Sequence, residues 1–175
     1  KSATSISTPS AGICTASIET MAWLKRTNLM GPSPVRLDRL RTPLSSSSAT
    51  SWTTVFATPI AARAVLSFRA ELYYTAASTN TGLVASLSGP AGPAAVIANL
   101  MASESTISFR NVSVTAYDEP LISRGSGGSA IVRAQLSGTV ENGANSGQLS
   151  LRFRTETAGH QLTLMRGSWW EMLQH

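Results

Sequence analysis

The sequence has little of the chemistry that metal sites and disulfide-stabilised folds require. Its 175 residues include one cysteine, Cys14, and two histidines, His160 and His175. A single cysteine excludes an intrachain disulfide. Two histidines without a nearby carboxylate cluster do not supply the three or four ligands of a usual zinc site. We therefore expect no metal and no cofactor, and a fold that is stabilised by packing or by assembly.

Motifs for catalysis are missing as well. The chain contains no G-x-S-x-G nucleophile turn and no G-x-x-x-x-G-K-[ST] phosphate loop. Glu71 and Glu156 fall on outward positions of predicted strands, where ion pairs with arginines across a sheet account for them. Those arginines are Arg69, Arg152 and Arg154. The sequence thus predicts a protein that is not an enzyme.

Charged residues and long apolar runs are also scarce. Charged residues make up 13 % of the chain, against roughly 25 % in ordinary soluble domains. No apolar run approaches the ~18–20 residues of a membrane span, so no membrane partner is expected. A weakly charged surface is typical of a chain that its neighbours partly cover.

The positive charge is concentrated near the start of the chain. Residues 1–45 carry a net charge of +4 and the remaining residues carry +1. This density is thin for nucleic acid, which calls for a run of phosphate-binding side chains, so docking on a protein partner is favoured. The candidate docking residues are Lys25, Arg26, Arg36, Arg39 and Arg41.

Strict alternation of apolar and polar residues dominates the rest of the chain. It runs over 63–75, 129–140 and 147–156. This period of two predicts strands with one face in a core and the other in water. About eight short strands separated by turns favour an all-β, antiparallel two-sheet sandwich of jelly-roll type, with a barrel as the alternative.

The division into segments follows from composition. Residues 1–49 are predicted to form an extended N-terminal arm, because prolines and basic charge precede the alternation. Spacing within 18–30 permits a short helix in that arm. Residues 50–175 are predicted to form the β-sandwich domain. Within it, the apolar phase shifts between Phe109 and Val112, which predicts a β-bulge near residues 110–111.

Four aromatic residues are candidates for an oligomer interface or a ligand platform. They are Trp52, Tyr73, Trp169 and Trp170. Adjacent residues of a strand face opposite ways, so one of Trp169 and Trp170 is expected in the core and the other outside it. A subunit interface, the edge of the core and a sugar-binding platform all remain open for these side chains.

The order of several short motifs resembles a β-sandwich module of virion structural proteins of tailed bacteriophages. The first part of the pattern comprises Phe68, Tyr74, Thr75, Ala76, Ala77, Thr81, Gly82, Gly89, Pro90 and Ala91. The second part comprises Ala116, Tyr117, Gly138, Gly147, Leu149, Arg152, Phe153, Glu156, Gly167 and Ser168. The resemblance covers roughly residues 50–173, and the adjacent Trp169 and Trp170 depart from the small or aliphatic residues expected there.

This resemblance implies a non-enzymatic virion protein that forms a symmetric homo-oligomer, preferably a trimer, on the exterior of a head or tail. The basic arm favours a capsid-surface decoration or cement protein that docks on the major capsid protein. A tail-fibre module, or a tail module that binds a receptor or glycan, is the first alternative, with tail subunits as partners. A jelly-roll coat protein of a small virus with a basic arm is the second.

Overall fold

The computed structural model describes residues 35–103, 109–123 and 130–175. The predicted helix at 18–30 and the arm residues Lys25 and Arg26 therefore lie outside the described residues. Within those ranges the fold is all-β and consists of antiparallel strands. The predicted two-sheet antiparallel sandwich is confirmed.

Twelve strands are assigned in the described part of the chain. In chain order they are β1 (Val35–Arg39), β2 (Leu44–Ser46), β3 (Thr53–Ile60), β4 (Val65–Ala76), β5 (Leu83–Ser88), β6 (Ala95–Ser103), β7 (Phe109–Val114), β8 (Leu121–Ile122), β9 (Val132–Glu141), β10 (Gly147–Thr155), β11 (Leu162–Leu164) and β12 (Trp169–Gln174).

The strands form one large and one small sheet. Sheet A has eight strands, six of them in the order β1-β12-β4-β9-β6-β7, while β11 joins β4 to β2. Sheet B has four strands in the order β3-β10-β5-β8. The central strand β4 pairs with β9 on one side and with β12 and then β11 on the other.

The core lies between the inner faces of the two sheets. Leu66, Phe68, Ala70, Leu72 and Tyr74 alternate along β4 and are all buried. Sheet B contributes alternating residues of β10 such as Leu149, Leu151 and Phe153. The period of two seen in the sequence therefore matches the faces of these strands, as expected for a pleated sheet with one buried side.

The first two strands belong to the sheet although they lie in the range that composition assigned to the arm. β1 pairs with β12 and β2 pairs with β11. The described part of the predicted arm, residues 35–49, is thus extended, and its strands extend sheet A. Alternation is weak there because β1 is an edge strand, whose inward positions Arg36 and Asp38 border solvent.

The pairing of strand β7 shows that the β-bulge predicted near residues 110–111 is wrong. From Phe109 to Val114 it pairs with β6 residue by residue, without a shift in register. Phe109 is an outward-facing residue with an exposed fraction of 68 %. The phase of the apolar residues changes because Phe109 lies on the outer face while Val114 lies in the core, and no extra residue is inserted between them.

Candidate functional site

The basic residues of the predicted docking segment lie on and beside the edge strand β1. Arg36 and Arg39 belong to β1, and Arg41 follows it by two residues. The Arg36 guanidinium donates to the Asp38 carboxylate at 2.8 Å, and both side chains are partly exposed. Arg39 and Arg41 are exposed, which leaves these guanidinium groups accessible to a partner.

These arginines surround an open edge of the sandwich. Arg36, Arg39 and Arg41 line a cleft of about 430 Å³ between β1 and β3, which are edge strands of sheets A and B. A neighbouring recess is lined by Arg39, Arg41 and Arg166. We call Arg36, Arg39, Arg41 and Arg166 the basic corner. With Asp38 as the carboxylate on β1, this corner carries a surplus of three positive charges, which favours an acidic surface on a partner.

Sequence reasoning did not identify Arg166 as part of this set. It sits in the turn between β11 and β12, and Gly167, with φ of 97°, follows it. Backbone hydrogen bonds tie this turn to the residue after β1, because Leu40 N donates to Ser168 O and Gly167 N donates to Leu40 O. Only the pairing of β1 with β12 brings Arg166 beside Arg39 and Arg41, so no local signal in the sequence could have found it.

A second polar cluster lies on the outer face of sheet A around Glu71. Its carboxylate is 8 % exposed. It accepts hydrogen bonds from Tyr73 Oη at 2.8 Å, from Arg69 at 3.3 Å and from Arg133. The predicted pairing with Arg69 is present. The partner Arg133 was not predicted, because it comes from β9, whose register against β4 the sequence did not specify.

The interactions within this cluster shift the pKa values of Glu71 and Tyr73. The hydrogen bond from Arg133 is the main reason why the pKa of Glu71 lies below its ordinary value, and burial opposes that shift. The hydrogen bond to Glu71 is the main reason why the pKa of Tyr73 lies above its ordinary value. Glu71 is therefore an ionised acceptor and Tyr73 a neutral donor near pH 7. This arrangement orders the surface and supplies no free acid or base.

The two adjacent tryptophans occupy opposite sides of sheet A. Trp170 has no exposed surface, and its ring stacks on Phe68 at 5.4 Å and on Phe56 at 6.4 Å between ring centroids. It is a core residue and presents nothing to a ligand or partner. Trp169 lies partly exposed on the outer face, with the guanidinium carbon of Arg69 5.8 Å from its ring centroid.

Trp52 lies beside sheet B and contacts two arginines of β10. The guanidinium carbons of Arg152 and Arg154 lie 5.1 and 4.9 Å from its ring centroid. Arg152 also pairs with Asp118, whose side chain is 66 % exposed. The sequence had paired Arg152 or Arg154 with Glu71 or Glu156, whereas the carboxylate that Arg152 contacts is Asp118, which comes from a turn after β7. Cation–π contacts of this kind cover much of the aromatic ring.

Residues of the phage-like pattern that are distant in sequence contact one another. A side chain at Gly89 would collide with the ring of Tyr117, and one at Gly138 would collide with Phe68 and the backbone of β6. These residue types therefore have packing roles, and the pattern reflects the way the sandwich is assembled.

Clusters of side chains that could bind a metal are not assembled in the described ranges. Within those ranges, no three or more His, Cys, Asp or Glu side chains are placed to hold a metal ion. Among the same residues, no helical segment has the length and apolar character needed to cross a bilayer. The sites that the described geometry does provide are surfaces, namely the basic corner and the two outer faces.

Comparisons with known proteins identify no relative of this chain. No protein-family model, no curated protein and no solved structure matches the chain significantly. Function must therefore be inferred from the surfaces of this fold together with the sequence pattern.

Proposed function

We propose that the protein is a non-enzymatic structural component of a tailed-bacteriophage virion, and that it decorates the capsid surface. The basic corner is the observation that carries this proposal. It places four arginines around the open edge between β1 and β3, where an acidic strip of a capsid subunit can be bound by charge pairing. The resemblance of the sequence pattern to a module of tailed-bacteriophage virion proteins supports the same assignment.

Edge strands add a second means of attachment at this corner. Among the strands that the structure describes, β1 and β3 each have a neighbour on one side only. Their outer backbone groups are available to pair with an extended segment of another subunit. Charge then sets the position of the partner and main-chain pairing contributes the contact area.

The proposal is tested by co-sedimentation of the full-length chain with purified capsids of its parent phage. We expect the double substitution Arg39→Glu/Arg41→Glu to weaken binding at least tenfold, since it reverses two charges at the corner. The matched control is Arg63→Glu, because Arg63 is an exposed arginine in the turn between β3 and β4. Point substitutions are preferable to deleting residues 1–45, which would remove β1 and β2 from sheet A.

Two results would contradict this function. One is an absence of capsid binding at low salt by the unmodified chain. The other is capsid binding that the double substitution and the control weaken equally. Binding to naked nucleic acid that falls steeply with salt would instead favour the small-virus coat protein.

A receptor- or glycan-binding tail module is the second candidate, and Trp52 is the observation that favours it. Its indole lies beside two arginines at the surface of sheet B, where a sugar ring carrying an anionic group could displace one guanidinium. A glycan array with the full-length chain tests this function. Specific binding that is lost in Trp52→Ala and kept in Trp169→Ala would support it.

A further inference from the structure

The outer face of sheet A carries an unusual set of exposed apolar side chains. Within the described ranges, seven large apolar residues are exposed, and the strand register places six of them on this face, while the seventh, Ile131, directly precedes β9. The set comprises Val35, Leu37, Val65, Ile97, Met101, Phe109 and Ile131. None of them lies on sheet B, so one side of the sandwich differs from the other.

Five of these residues form two flanks on either side of a mainly polar centre, while Val65 lies on the central strand β4. One flank is Val35 and Leu37 on the edge strand β1. The other flank is formed by Ile97 and Met101 on β6 and by Phe109 on β7. The central strands β12, β4 and β9 carry Glu171, Arg69, Glu71 and Arg133 on this face.

This distribution is self-complementary. If two copies of the face are stacked about a two-fold axis parallel to the strands, each apolar flank meets the opposite flank of the other copy. If the axis crosses the strands, each flank meets itself. Apolar surface is covered by apolar surface in both cases, as an isologous contact requires.

The charges on this face are also compatible with the stacking of two copies about a two-fold axis. The register places six charged residues on this face of the described strands, namely Arg39, Arg69, Arg133, Glu71, Glu141 and Glu171. Their charges cancel, so the face meets its own copy with no net charge, which avoids the penalty for opposed like charges. Because Glu71 is already bonded to Arg69, Arg133 and Tyr73, covering this carboxylate leaves it paired.

The size of the face is sufficient for a specific contact. Six strands about 4.8 Å apart, each with about six residues rising about 3.4 Å, cover roughly 600 Å². Two copies would together bury about 1,200 Å², which is the lower end of the range for specific interfaces.

We propose that the outer face of sheet A packs against the same face of a second copy of this chain about a two-fold axis. The inference goes beyond the proposed function, and it names the surface through which the homo-oligomer expected from the sequence would form. Two-fold packing yields a dimer or an even-numbered assembly, in contrast to the trimer that the family resemblance favours.

The test is sedimentation of the full-length chain between about 1 and 100 µM. We expect a dimer, and we expect Ile97→Glu to weaken its association at least about 30-fold, as for a central interface residue. Phe109→Glu on the neighbouring strand is a second variant with the same expected direction. The matched control is Gln148→Glu, which adds the same charge to the outer face of sheet B and should leave the association unchanged.

The outcomes separate this inference from the proposed function. A wild-type monomer, a trimer, or an oligomer that is insensitive to both variants would overturn the two-fold contact. Circular dichroism of each variant establishes that it remains folded. A dimer that ignores capsids would contradict the virion function and leave the contact standing, whereas a capsid-binding monomer would do the reverse.

Discussion

The two outer faces of the sandwich are built from the same kind of pleated strand but carry different side chains. The outer face of sheet A combines large apolar residues at its flanks with an arginine–glutamate–tyrosine cluster at its centre. The outer face of sheet B is lined along β10 by Gln148, Ser150, Arg152 and Arg154. Both of these arginines make cation–π contacts with the ring of Trp52.

This difference distinguishes a face that suits contact with protein from one that suits water. A solvated antiparallel face needs only polar or small outward residues, as on β10. Exposed residues such as Ile97 and Phe109 contribute nothing to the core of their own subunit. Their presence on one face therefore identifies the surface where burial against another molecule would be favourable.

The largest expected effect separates the inner and outer sides of β12. Trp170→Ala should lower the free energy of unfolding by about 3–5 kcal/mol, because it leaves a cavity against Phe56 and Phe68. Trp169→Ala, one residue away on the outer side, should cost less than about 1.5 kcal/mol in the dilute protein. Urea unfolding at low protein concentration measures both, and equal losses would refute the assignment of sides.

The next effect compares the carboxylates of the two outer faces. Glu71→Gln should cost about 1.5–2 kcal/mol, since it removes the charged acceptor of Arg133 and Arg69 from a nearly buried position. Asp118→Asn on the sheet B side should cost under about 1 kcal/mol, because the Asp118 side chain is 66 % exposed. Chemical unfolding at pH 7 gives both values. A larger loss for Asp118→Asn would reverse the comparison.

The contribution of Glu71 should also depend on pH. Its pKa in the folded protein lies below the ordinary value of 4.5. The stabilisation is therefore complete above about pH 4.5 and is lost as the pH falls through the lowered value. Unfolding curves between pH 3 and 7 should show the gap between wild type and Glu71→Gln closing toward the acid end. A constant gap would show that the charge of Glu71 contributes nothing.

The smallest effect concerns Tyr117, which packs against Gly89 beside sheet B. Burial raises the pKa of Tyr117 to about 12. The contribution of this raised pKa to stability is therefore complete below about pH 10, and it is lost as the pH rises from 10 toward 12. Tyr117→Phe should change stability at pH 7 by less than about 0.5 kcal/mol, because the buried hydroxyl lacks a hydrogen-bond partner among the described residues. Ultraviolet titration of this variant should lose one phenol that ionises near pH 12.

Much of the fold was predictable because alternation of apolar and polar residues is the pattern of a strand that buries one face. β4, β9 and β10 follow the stripes in the sequence almost residue for residue. The predicted bulge was wrong because Phe109, as an apolar residue, was expected to face the core, whereas it faces outward on β7. β1 and β2 were placed in the arm because short edge strands near prolines show too few alternating residues.

The site was predictable only where charge alone identifies it. Arg36, Arg39 and Arg41 stand out as a basic segment, and the structure gathers them at one corner. Arg166 and Arg133 join their clusters through strand pairing between distant segments, which depends on register and cannot be derived from local pattern. The concentration of exposed apolar residues on a single face likewise appears only once the sheets are assembled.

Radical footprinting of the full-length chain with mass spectrometry tests the contrast between the faces most directly. Labelling would be compared at about 1 and 100 µM for Met101 on sheet A and Trp52 beside sheet B. The account predicts that labelling of Met101 falls several-fold at the higher concentration while that of Trp52 stays constant. Unchanged labelling of Met101, or protection of Trp52 in its place, would contradict it.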